Sequence, residues 1–145
     1  MFGPHLILEG YGCSKKKLGD VGFLYRTLDE FPALIGMTKI MPPHVQQYLE
    51  SPDKLWGISG FVIIAESHIA IHTFPERGFL TLDIFSCKDF EIEKAIDLVV
   101  ESFEIENYDH KVFSRGEDYP RDIRKTVRLV ASDRADLRSA GSSRP

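Results

Sequence analysis

A chain of 145 residues with 43% hydrophobic side chains has the length and apolar content of one domain with a real core. Its net charge of -4 and pI near 5.7 argue against a general nucleic-acid binder, which needs a concentrated basic face. No apolar run approaches the roughly 20 residues that cross a bilayer, and the first residues lack a basic stretch before their short apolar run, so a cytoplasmic protein with no membrane partner is expected.

In chain order, His5 to Tyr11 (HLILEGY) is an apolar run closed by Gly10 and Gly12 and predicts a strand. Ser14 offers an N-cap, and Leu18, Val21, Leu24, Tyr25 and Leu28 recur at helical spacing, weakened by Gly19 and Gly22. Pro32 and Gly36 punctuate the end of this helix. Met37 to Met41 is strand-like until Pro42-Pro43, and His44 to Lys54 is polar and irregular, as a surface loop would be. Trp56 to Ala65 holds the continuous apolar run Phe61 to Ala65, expected to be a strand buried on both faces.

Between Ala65 and Cys87, Ile69/Ile71 and Leu82/Ile84 alternate on either side of a turn at Pro75 to Gly78, which predicts a hairpin. Asp89 is a candidate N-cap for a helix whose stripe is Ile92, Ala95, Ile96, Val99, Val100 and Phe103. Asn107 to Ser114 predicts a last strand. Residues 121–145 form a basic tail, with Arg121, Arg124, Lys125 and Arg128 read as a solvated face and the part beyond about Asp133 as disordered.

The fold expected is α+β: a two-layer unit over residues 1–120, an antiparallel sheet with helices on one face. The other face would carry Phe61, Ile63 and the Ile69/Ile71 row, too apolar to leave wet, so pairing of two copies into an αββα-type sandwich, a homodimer, is expected.

The hairpin concentrates reactive groups: Glu66, Ser67, His68, His72, Glu76 and Cys87. Two cysteines, Cys13 and Cys87, are too few for a disulfide framework, so each is judged as a thiol. A hydrolase triad of Ser67, His72 and Asp83 lacks a nucleophile elbow around the serine. A metal held by His68, His72 and Cys87 lacks a fourth ligand, and no metal is expected. Ser67 and His72 are five positions apart, so on a straight strand they face opposite sides, while Asp83, Phe85 and Cys87 share one.

The run ESHIAIHTFPERGFLTLDIFSC, with Ser59-Gly60 upstream, resembles the processing-site region of the bacterial and archaeal S-adenosylmethionine decarboxylases, self-processing pyruvoyl enzymes of spermidine synthesis. The match is dense over Gly57 to Cys87, looser over HLILEGYGC, and one of layout beyond the second helix.

The resemblance implies self-cleavage between Glu66 and Ser67, with Ser67 becoming the pyruvoyl cofactor that forms a Schiff base with the substrate amine. It implies that His72 handles protons during processing, that Ser59 assists, that Cys87 returns a proton to the substrate during decarboxylation, and that Glu76 holds the ribose hydroxyls. For the adenine, Trp56 and Tyr48 are candidates. Arg77 stands where the family has an aromatic residue, which leaves arginine or ornithine as alternative substrates; a non-catalytic binding or regulatory homologue is a separate rival.

Overall fold

The computed structural model describes residues 3–49, 56–116 and 123–141. It is an α+β fold built on an antiparallel seven-stranded sheet: β1 (Gly3–Tyr11), β2 (Thr38–Lys39), β3 (His44–Leu49), β4 (Trp56–Ala65), β5 (Ser67–Phe74), β6 (Phe79–Ser86) and β7 (Asn107–Arg115). The order is β2-β4-β5-β6-β1-β7, with β3 sharing the β4 edge. Helices α1 (Lys15–Leu18), α2 (Val21–Leu34) and α3 (Ile92–Phe103) precede α4 (Ile123–Gly141).

The period-2 pattern of the strands decides the layers. Leu6 and Leu8, Ile58, Val62 and Ile64, Ile69 and Ile71, and Leu80, Leu82 and Ile84 are buried in one core with Leu24, Leu28 and Phe31 of α2 and Ala95, Ile96, Val99 and Phe103 of α3. Each fully buried Leu or Ile contributes about 1.5–3 kcal/mol. Thr73 stands among them and satisfies its hydroxyl by donating to the carbonyls of Leu18 and Ile58 at 2.8 and 3.3 Å, which ties α1 to the sheet.

Several elements depart from the sequence expectation. The first helix is two: a Cβ at Gly19 would lie 2.9 Å from the Trp56 ring, and Asp20 restarts the helix by accepting from the Phe23 N–H at 2.9 Å. Ser14 stands at the N-cap of α1 without a side-chain cap bond, and Glu91, rather than Asp89, precedes α3. His44–Leu49 is a strand, not a loop; its pattern misleads because an edge strand pairs through its backbone while Val45 alone packs against the core. Residues 50–54 of that expected loop lie outside the described residues.

The tail is helical to Gly141 rather than disordered from Asp133, a stretch whose Arg, Ala and Leu favour helix. Arg121 and residues 142–145 lie outside the described residues.

Ile69 and Ile71 belong to the helix-covered face, not to the open one. The outer face is apolar through other residues: Phe61, Ile63, Ala70, Phe74, Phe79 and Phe85, with Phe61 39% exposed, so β4 is buried on one face only. Phe74 and Phe79 stack at 5.6 Å across the hairpin.

Candidate active site

The strand ladders order the outer face into cross-strand rows. One row runs Phe113, His5, Phe85, His68 and Ile63; another, toward the opposite end of the strands, runs Asp109, Glu9, Thr81, His72 and Ser59. Glu66 forms the turn between β4 and β5, and Ser67 opens β5 opposite Ser86, one residue before Cys87.

Two pairs of reactive groups result. Ser67 Oγ lies 3.2 Å from Cys87 Sγ at the turn. Ser59 Oγ lies 2.7 Å from His72 Nδ1 on the exposed ladder. The pairs do not meet within one chain: five residues of strand separate Ser67 from His72, about 17 Å at roughly 3.3–3.4 Å each. Glu76, exposed in the 3-10 turn Pro75–Arg77, lies farther still along the same hairpin.

The Glu66 carbonyl accepts a long hydrogen bond, 3.4 Å, from the Cys87 N–H. A hydroxyl beside a carbonyl that already faces an N–H donor is suited to acyl transfer, because the donor stabilises the oxyanion. Sequence reasoning missed this contact, since a backbone donor has no side-chain signature.

The two thiols differ. Burial pushes Cys13 up to about 11, which makes it an inert core group. Cys87 is half-buried on the outer face, with Asp83 and Phe85 as the alternation required. His68 presents its ring edge to Phe85 at 6.0 Å, and desolvation, then His5, holds its pKa below the ordinary histidine value; Asp83 opposes this and Arg115 reinforces it.

A histidine whose folded pKa is depressed stays neutral in the fold while the unfolded chain takes up the proton. Stability is therefore expected to be complete above the ordinary value near 6.5 and to fall as pH drops from there toward the depressed folded value. Denaturant midpoints across that range check this, and His68→Asn should flatten the slope.

A hollow of about 370 Å³ lies on the outer face between the two pairs, lined by His44, Gln46, Ser59, Gly60, Phe61, Ile63, His68, Ala70 and His72. His44 and Phe61 face each other there at 5.6 Å, an aromatic wall that the β3 assignment is needed to see.

The family model for S-adenosylmethionine decarboxylase matches residues 4–116. The chain belongs to the S-adenosylmethionine decarboxylase family. An S-adenosylmethionine decarboxylase proenzyme of Archaeoglobus fulgidus is 37% identical over 115 residues, 79% of this chain and 97% of that one. One from Pyrococcus horikoshii is 33% identical over 139 residues, 94% and 95%. The crystal structure of the adenosylmethionine decarboxylase from Aquifex aeolicus superposes with a TM-score of 0.65 at 28% identity, covering 83% of this chain and 98% of that one.

Within this family member, the residues singled out in sequence fall into three places. Ser67, Glu66 and Cys87 are brought together; Ser59 and His72 are brought together elsewhere; Glu76 stands apart. Trp56 is not brought to either pair, since its ring packs on the helix side near Gly19. Tyr48 is exposed on β3 at the far end of the ladder. Asp83 hydrogen-bonds to His5 Nε2 at 3.2 Å, so a Ser67-His72-Asp83 triad does not form. No helix among the described residues is long and apolar enough to cross a membrane.

Proposed function

We propose that this chain is a self-processing decarboxylase of S-adenosylmethionine, cut between Glu66 and Ser67 into fragments 1–66 and 67–145, with residue 67 becoming a pyruvoyl group. The observation that carries the reading is the Ser67-Cys87 contact at 3.2 Å beside a Glu66 carbonyl that accepts from Cys87 N–H.

Ser67 Oγ attacks the carbonyl carbon of Glu66 and transfers the acyl group from nitrogen to oxygen, giving an ester. A base then removes the Cα proton of residue 67, Glu66 leaves as a carboxylate, and water releases ammonia to leave the ketone. The residues fit that product: the turn is short, Cys87 Sγ is adjacent, and the apolar Phe85 lies next along the same face. The pyruvoyl group supplies an electron sink for the departing carboxylate. Cys87 then delivers the proton to the substrate carbon, and Glu76 holds the ribose hydroxyls.

His72 and Ser59 act in this reading from a second copy. Two outer faces packed about a two-fold axis perpendicular to the strands, passing between the two rows, set one protomer's Ser59-His72 pair over its partner's Ser67-Cys87 pair. The same packing covers Phe61, Phe74 and Phe85 and gives the homodimeric sandwich. The names of the relatives favour S-adenosylmethionine over arginine or ornithine, and the retained Ser67, His72 and Cys87 disfavour a regulatory homologue. Carbon dioxide release measured with the three substrates in parallel is expected to show turnover with S-adenosylmethionine alone; turnover of arginine or ornithine instead would reassign the substrate.

A further inference from the structure

The Ser67-Cys87 pair does not end at β6. Continuing the ladder across the sheet, the next position on β1 is Gly3 and the next on β7 is Arg115, its register partner. Arg115 shares the outer face with Phe113 and Lys111 by alternation, and its guanidinium lies 4.1 Å from the centre of the Phe85 ring. Phe85 in turn meets His68, the residue next after Ser67, edge-on. Arg115 therefore leans from the sheet edge toward the reacting end of the hairpin.

Gly3 lets β1 run close against the end of β6. A Cβ there would lie 1.8 Å from the Ser86 carbonyl oxygen and 2.8 Å from Cys87 Cα, so the position holds no side chain. Cys87 and Arg115 stand two strands apart, about 10 Å between backbones at roughly 4.8 Å per strand. The guanidinium crosses part of that gap to lie over the Phe85 ring, two residues before Cys87. Among the described residues no carboxylate pairs with Arg115; its partner is the Phe85 ring.

Resting on the decarboxylase reading above, we propose that Arg115 is a specificity-determining residue that receives the α-carboxylate of the amino-acid substrate. A planar guanidinium stacked on an aromatic ring through its face is held in one orientation and can donate from its edge to a carboxylate. Its contribution to the His68 pKa places its charge at the same end of the face. The contact selects amino acids over amines and releases the product, which has lost the carboxylate.

The test compares Arg115→Gln with the parent protein, using S-adenosylmethionine as substrate and its decarboxylated product as competitive inhibitor. The expected result is complete self-cleavage by intact mass, a KM for S-adenosylmethionine raised about tenfold or more, and a product Ki within twofold of the parent; one lost charged contact is of that size. An unchanged KM, or a KM and Ki that rise together, overturns the proposal. If Arg115→Gln stays uncut, Arg115→Lys gives the same comparison. A parent protein that is neither cut nor active sinks the decarboxylase reading and this proposal with it, whereas a cut, active parent with an unmoved variant KM sinks this proposal alone.

Discussion

Ser67→Ala is expected to remain one chain of 145 residues with no decarboxylase activity, while the parent protein resolves by mass into residues 1–66 and 67–145. Without the hydroxyl there is no oxygen to receive the Glu66 acyl group and no ketone to form, so the loss is total rather than graded. His72→Ala should also stay uncut, for a different reason: its own Ser67 is intact, but the histidine it owes the partner is gone. The distance of about 17 Å along β5 makes this a test of arrangement, again at roughly 3.3–3.4 Å per residue.

Co-expressed, Ser67→Ala and His72→Ala chains are expected to form mixed dimers in which one site has both groups. In these, the His72→Ala chain is expected to be cut. Mixed dimers that contain no cut chain would show that His72 serves its own protomer or none.

Cys87→Ala is expected to separate maturation from turnover. The backbone N–H that faces the Glu66 carbonyl survives the substitution, so self-cleavage should proceed and the two fragments should appear. Decarboxylation loses its proton donor, and kcat is expected to fall by about 10² to 10⁴-fold, the usual range for removing a positioned acid. Cys87→Ser tests the acidity of the group: a hydroxyl of the same shape donates far less readily, so its kcat should stay low. A Cys87→Ala enzyme with parental kcat would remove the thiol from the reaction.

Much of the frame was legible because burial imposes period on sequence. The stripe Ile92, Ala95, Ile96, Val99 and Phe103 gave α3, and Leu82/Ile84 gave β6 with Cys87 on the face of Asp83 and Phe85. β3 was hidden because HVQQYL is an edge strand that buries almost nothing, and the close approach of the Trp56 ring to Gly19 because the two are distant in sequence. Alternation says that Ile69 and Ile71 share a side of the hairpin but not which side the helices cover.

The site divides in the same way. Local sequence supplied Ser67, Cys87, Ser59 and His72 as a set. It could not show that the set forms two pairs, nor that His5, Phe85 and Arg115 gather beside one of them, since those neighbours are created by the β6-β1-β7 ladder.

The cut proposed at Glu66 bears on how long the enzyme lasts. A cut there leaves β1 to β4 with α1 and α2 on one polypeptide, and β5 to β7 with α3 and α4 on the other. They stay joined through the β4-β5, β1-β6 and β1-β7 ladders and a common core. Folding is unimolecular before the cut and bimolecular after it, so apparent stability becomes dependent on concentration. An enzyme heated past its transition must find its other half again in dilute solution, and its working life is then set by how slowly the two halves come apart.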